Sequence, residues 1–188
     1  AIVIATGFFV TGYLGNMAKQ GIIKENESAI SVLFVHLTDD LRRIEGAVKA
    51  MSGSPHIIPA LIHRTDQNIA QANAALDRYN SALEGSVSYL IDRGGMTIAS
   101  SNRNEPDSFI GKSYEFRPYF TQAIKGSPGR YFALGITSLK RGFYASFPVR
   151  NSQGKIIGAL VIKKDLDELE KNLSGYPYFF LLTPNGII

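Results

Sequence analysis

Arg130–Lys164 reads RYFALGITSLKRGFYASFPVRNSQGKIIGALVIKK. Three runs rich in aromatic and β-branched residues stand out: Arg130–Ile136, Phe143–Val149 and Lys155–Lys163. Such residues suit a pleated, half-buried surface. The breaks between them, Thr137–Gly142 and Asn151–Gly154, carry the Gly, Asn and Ser of turns. Connections this short make consecutive strands antiparallel neighbours. Upstream, Val87–Ile91 and Met96–Ser101 flank Asp92-Arg93-Gly94-Gly95, a hairpin turn. The two groups of strands are interrupted by a polar loop, Asn102–Ser113, and by a short helix over Arg117–Lys125 with Pro118 in its first turn.

Towards the N-terminus the period changes from two to helical. Ile23, Ile30, Phe34, Leu37, Leu41, Ile44, Val48 and Met51 step by seven and then alternately by four and three, a seam of the coiled-coil type. It predicts a helix of about 35 residues, roughly 50 Å long, stopping at Ser52-Gly53-Ser54-Pro55. Core packing explains part of the stripe, and the excess length points to a homodimer. A short segment, Ile57–Ile62, precedes a second helix capped by Thr65 or Asp66, with Ile69, Ala72, Leu76, Tyr79 and Leu83 on one face and Gly85 closing it. Beyond the sheet, Asp165–Asn172 reads as a helix and Tyr178–Leu182 as a strand entering the turn Pro184-Asn185-Gly186. That strand and turn repeat the pattern of Val87–Gly94, as the start of a second module would. The fold class is α+β: a long N-terminal helix packed on a PAS-like domain with a five-stranded antiparallel sheet, plus the start of a second PAS-like module. The implied divisions are 1–15, 16–84 for the stalk and second helix, 85–164 for the ligand-binding domain, and 165–188 for a linker helix and the first strand of the next module.

Residues 1–14, AIVIATGFFVTGYL, carry no charge. About 20 apolar residues span a bilayer, so this stretch is read as the outer end of a transmembrane helix, with a buried N-terminal element as the alternative. The chain would then be the periplasmic, extracytoplasmic part of an inner-membrane protein. The balance of 45% hydrophobic to 19% charged residues excludes disorder. The net charge of +4 is scattered rather than clustered, which argues against nucleic acid as a partner and suits small anions. Without cysteine there is no disulfide framework, thiolate zinc site or Cys nucleophile.

Catalytic signatures are missing. His36, His56 and His63 are dispersed, no HExxH or GxSxG occurs, and Gly111-Lys112-Ser113 lacks the first glycine and the long helix of a P-loop. No metal or cofactor is expected. A binding constellation remains. Tyr114-Glu115-Phe116-Arg117-Pro118-Tyr119-Phe120 sets an arginine among aromatics at a helix start, and a guanidinium pairs bidentately with a carboxylate. The plain alternative is a structural ion pair among core aromatics. Thr137 and Ser138 place two hydroxyls at a turn, where ordinary turn chemistry explains them equally well, and Tyr144 follows on the next strand. Alternation along Ile157, Ala159, Val161 and Lys163 puts Lys163 on a face of small apolar residues, either leaving the sheet edge or reaching into a pocket. A one-residue slip would exchange its role with Lys164.

Three stretches taken together, SYEFRPYFTQAIKG (113–126), GRYFALGITSLKRGFYASFPVR (129–150) and GKIIGALVIKKDLDELE (154–170), resemble the periplasmic region of the four-carbon-dicarboxylate sensor histidine kinases, which are double-Cache (PAS-like) receptors. The resemblance covers about Met17–Asn172. It implies a pocket for succinate, malate or fumarate. Arg117 and Tyr114 would hold one carboxylate and Lys163 the other. Thr137 and Ser138 would donate hydrogen bonds, and Tyr119 and Tyr144 would line the cavity. Two opposed cations suit a dianion, whereas an amino acid would need an acidic residue for its ammonium group. The chain contains almost nothing of the second module and no kinase portion. The same sensor also occurs on chemoreceptors and diguanylate cyclases, and a dimerisation module with no ligand is a further alternative.

Overall fold

The computed structural model describes residues 2–83, 86–171, 182–183 and 186–187. The chain divides into two compact units, residues 1–40 and 41–188. Helix α1 (Ile2–Ser52) is 51 residues long, so the expected stalk runs back through the apolar N-terminal stretch without a break. Among the described residues no helix is long and apolar enough to cross a membrane. The heptad seam divides into two parts with different fates. Ile44, Val48 and Met51 are buried, whereas Ile23, Ile30 and Phe34 are 43%, 50% and 68% exposed. The upper seam is therefore core, and the surplus apolar surface lies on the first three positions of the stripe.

Helix α2 (Ile58–Ile62) leads into α3 (Asp66–Asn80). Thr65 caps α3 by accepting the Asn68 N–H at 3.2 Å. The helix ends five residues before Gly85, closing through Ala82 N–H to Tyr79 O and Leu83 N–H to Asn80 O. Its buried face is Ala72, Ala75 and Leu76. Tyr79, expected on that face, is exposed.

The sheet is five-stranded and antiparallel, in the order β2-β1-β5-β4-β3. Its strands are β1 (Ser86–Asp92), β2 (Thr97–Ser100), β3 (Gly129–Leu134), β4 (Arg141–Arg150) and β5 (Ile156–Asp165). The central strand β5 pairs with both β1 and β4, and its register sets Lys163 opposite Val87 on one side and Tyr144 on the other. Side chains facing each other across a ladder share a face, so Lys163 lies on the face of Tyr144 and Tyr131. That face carries the core cluster of Tyr89, Ile91, Ala159 and Val161, over which α4 (Pro118–Ile124) lays Tyr119, Phe120 and Ala123. The buried Ser146 hydroxyl donates to the Tyr119 carbonyl at 2.7 Å and ties α4 to β4. Helix α3 packs on β1 and β2, where the Asn73 side chain accepts the Ser100 N–H. The Arg130 guanidinium joins β3 to the last turns of α1 through Glu45, at 2.5 and 2.6 Å.

Helix α5 (Leu166–Lys171) follows β5 directly. The strand expected over Tyr178–Leu182 lies outside the described residues except for Leu182. There, β6 (Leu182–Thr183) pairs antiparallel with β7 (Gly186–Ile187). Asn172, Gly85 and the turn residues Pro184 and Asn185 also fall outside the described residues.

Candidate ligand-binding site

A small cavity opens between the sheet, α4 and the loop from β3 to β4. Tyr89, Tyr119 and Tyr144 form its aromatic floor with Phe109, and Tyr114 and Arg117 form one wall. Gly135, Ile136, Thr137 and Ser138 cover it. The Tyr119 and Tyr144 rings stack in parallel at 5.0 Å, and Phe109 meets Tyr89 edge-on at 5.0 Å. The empty space is about 200 Å³ with the open mouth included. The enclosed part has room for about one water molecule.

Arg117 does not stand in the first turn of α4, as expected, but caps it from an extended conformation, φ −74° and ψ 133°. The cause is Pro118, which drives the residue before it out of the helical region. The side chain is thereby turned into the fold. Arg117 is 8% exposed, donates to the Leu134 carbonyl at 3.1 Å and lies 5.4 Å from the Phe116 ring. Among the described residues no carboxylate pairs with it. A buried guanidinium held by one main-chain carbonyl keeps donors and a full charge to offer an anion.

Hydroxyls surround that charge. The Tyr114 hydroxyl shares a 2.8 Å hydrogen bond with Thr137, and Tyr89 donates to Tyr119 at 2.9 Å. The Ser138 hydroxyl oxygen is buried with no hydrogen-bond partner among the described residues. Such an orphan is costly unless something fills it. Gly135 makes the close approach of cover and floor possible. A β-carbon there would stand 2.5 Å from the Ser138 hydroxyl and 2.8 Å from that of Tyr144. Burial raises the phenol pKa of Tyr89, Tyr119 and Tyr144 above the ordinary range, so all three are neutral donors. Tyr114 is also raised by burial, against the opposing pull of its Thr137 hydrogen bond and of Arg117. For Tyr144, Arg117 opposes the burial effect while Tyr114 and Asp165 add to it, so this hydroxyl lies within the fields of both Arg117 and Asp165.

Six of the residues singled out in the sequence, Tyr114, Arg117, Tyr119, Thr137, Ser138 and Tyr144, thus line one cavity. Lys163 is placed differently. It is 1% exposed on the cavity's face of the sheet, and its ammonium group is bound by Asp165 rather than presented to the cavity. Neither the sheet-edge reading nor the open-pocket reading describes it.

No family model matches the chain. Two curated proteins do, both named C4-dicarboxylate transport sensor protein DctB. The one from Pseudomonas aeruginosa is 33% identical over 172 residues, 90% of this chain, and the one from Rhizobium meliloti is 35% identical over 122 residues, 64% of this chain. The sensor domain of the V. cholerae histidine kinase DctB superposes with a TM-score of 0.77 at 35% identity, covering 82% of this chain and 60% of that one. The chain is a PAS-like sensor domain similar to that of DctB. The sensor domain of E. coli DcuS (TM-score 0.58, 14% identity, 72% of this chain and 96% of that one) and the Campylobacter jejuni chemoreceptor Tlp3 (0.61, 17%, 75% and 57%) share its fold. The chain spans 28% and 20% of the length of the two curated relatives.

Four lining residues of this sensor domain had no signal of their own in the sequence. Tyr89 reads as an ordinary strand aromatic, and Phe109 sits in a polar loop. Gly135 and Ile136 close a strand. The pairing of β1 with β5 and the return of the Asn102–Ser113 loop bring Tyr89 and Phe109 to the cavity, and the loop after β3, the strand whose Leu134 carbonyl accepts from Arg117, brings Gly135 and Ile136. That return is pinned by Asn102, whose side chain accepts the Phe109 N–H and donates to the Asp107 carbonyl.

Proposed function

We propose that this chain is the extracytoplasmic sensor domain of a two-component histidine kinase, that it binds a C4-dicarboxylate, and that it signals across a membrane. The observation that carries the reading is Arg117, a buried cation without a carboxylate partner among the described residues, set among hydroxyls in a domain similar to that of DctB. Arg117 and Tyr114 take one carboxylate of the ligand, Thr137 and Ser138 donate to it, and Tyr119 and Tyr144 pack on its carbon chain. Lys163 receives the second carboxylate. An amino acid fits less well, because the acid beside the site, Asp165, is already held by Lys163 and Lys140. The whole receptor sits in the inner membrane through helices flanking the sensor, and the exposed seam at Ile23, Ile30 and Phe34 makes it a homodimer. The fragment itself is a binding module and the catalysis resides in the kinase.

The test is isothermal titration with succinate, malate, fumarate, acetate and a set of amino acids. A dicarboxylate should bind and raise the melting temperature. A ligand at a hundred times its dissociation constant adds about 2.7 kcal/mol. Arg117→Ala should abolish binding, and Arg117→Lys, which loses the planar fork, should weaken it at least tenfold. Unchanged affinity in Arg117→Ala would remove the site.

A further inference from the structure

Lys163 is a fully buried cation whose charge is already answered. Its stem runs across the sheet where Gly142 leaves room, since a β-carbon on Gly142 would stand 3.0 Å from Lys163 Cε. Its ammonium group ends on the Asp165 carboxylate. The other oxygen of Asp165 faces Lys140 Nζ at 3.6 Å. Lys140 belongs to the cover of the cavity, for its carbonyl accepts the Gly135 N–H at 2.9 Å and closes that loop on itself. The next residue back, Leu139, is held at φ +53°, a conformation unfavourable for a leucine. One carboxylate thus binds the cation beneath the cavity and the loop above it.

Two consequences follow from charge. Arg117, Lys140 and Lys163 against Asp165 leave two net positive charges about the site, the complement of a dianion. The Lys163 ammonium group is already on Asp165, whose other oxygen faces Lys140, so a carboxylate that pairs with Lys163 takes over a place that Asp165 holds.

We propose that Asp165 is an internal occupant of the cationic end of the pocket, a carboxylate of the protein that the second carboxylate of a ligand must displace. It therefore sets both affinity and selectivity for dianions over mono-anions. This rests on the dicarboxylate reading of the site. A monocarboxylate engages Arg117 and leaves the Lys163–Asp165–Lys140 contacts intact. A dicarboxylate exchanges one partner of Lys163 for another and frees Asp165, the last residue of β5 and the one directly before α5. Asp165 is thus a specificity-determining residue whose release is felt where the chain leaves the sheet.

The experiment is titration of the full chain and its Asp165→Asn variant with succinate and with butyrate, its monocarboxylate counterpart of equal length. Asp165→Asn should bind succinate at least threefold more tightly than wild type, while its affinity for butyrate stays as in wild type, so that selectivity rises. A gain below threefold, a loss, or an equal gain for butyrate overturns the proposal. Should Asp165→Asn fail to fold, Lys140→Met serves. It leaves Asp165 to Lys163 alone and should weaken succinate binding at least threefold with butyrate unchanged, and an unchanged succinate affinity overturns the proposal. Succinate bound by wild type, lost in Arg117→Ala and unaffected by Asp165→Asn removes the role of Asp165 alone. Absence of succinate binding in all these proteins removes the dicarboxylate reading along with it.

Discussion

Ser138 and Gly135 illustrate how single atoms define this site. The Ser138 hydroxyl is buried without a partner among the described residues, so Ser138→Ala should leave stability within about 0.5 kcal/mol of wild type, or raise it slightly, because none of their hydrogen bonds is lost. The same change should weaken succinate binding about tenfold, the worth of a hydrogen bond to a charged group. Titration calorimetry alongside thermal melts separates the two effects, and an equal loss in both would make Ser138 structural. Gly135→Ala is the steric counterpart. Its methyl group would meet the Ser138 and Tyr144 hydroxyls, at a cost of about 1–3 kcal/mol in stability and with loss of ligand binding. Arg117 stands out in the sequence as a candidate because a guanidinium lies among aromatics at a helix start. That it caps α4 rather than joining it follows from Pro118 beside it, whereas the lack of an acid partner among the described residues depends on residues far away in the chain.

Among the elements, α1 is the one whose sequence pattern serves two ends. A single 3.6-residue stripe carries Ile44 and Val48 into the core and leaves Ile23, Ile30 and Phe34 exposed. Ile44→Ala should cost about 2–4 kcal/mol in chemical denaturation of the monomer, as large-to-small core changes do. Phe34→Ala should leave monomer stability within about 0.5 kcal/mol and instead weaken self-association in sedimentation. A destabilised monomer in the second case would place Phe34 in a core. The period alone could not divide the stripe, because burial is decided by what stands opposite each turn. Helix α3 makes the same point, with Tyr79 exposed against expectation and Ala75, outside the expected stripe, buried. The strands were legible because their alternation and turn residues agree, and the register at β4–β5 settled which lysine lies on the cavity's face of the sheet.

Over the whole molecule, four buried phenols make stability depend on alkaline pH. Burial is the leading cause of the raised pKa of Tyr89, Tyr114, Tyr119 and Tyr144. A phenol in the unfolded chain titrates near 10. Below that pH both states are protonated and the stabilisation is complete. As pH rises past it the unfolded chain loses protons that the folded one keeps, so stability falls. Melting temperatures should be flat from pH 7 to about 9 and drop above 10, and Tyr89→Phe should soften the drop. A flat profile to pH 11.5 would show that these rings open to solvent. Ligand binding should keep its hydroxyl donors throughout the flat range.

The succession of strands along the chain, the interruption between the two strand groups, and the types of residue that could grip a carboxylate were written in the chain locally, whereas the β2-β1-β5-β4-β3 order of the sheet was not. Period, turn chemistry and the geometry of a guanidinium are properties of a few neighbouring residues. The partnering of charges was only partly local. Asp165 stands two residues beyond Lys163 on the same face of β5, a pair written in the sequence, whereas Lys140 from the β3–β4 loop reaches Asp165 only once β4 and β5 pair. Tyr89 and Phe109 join the cavity for the same reason, since contacts between residues distant in sequence arise from packing and leave no periodic trace in either segment.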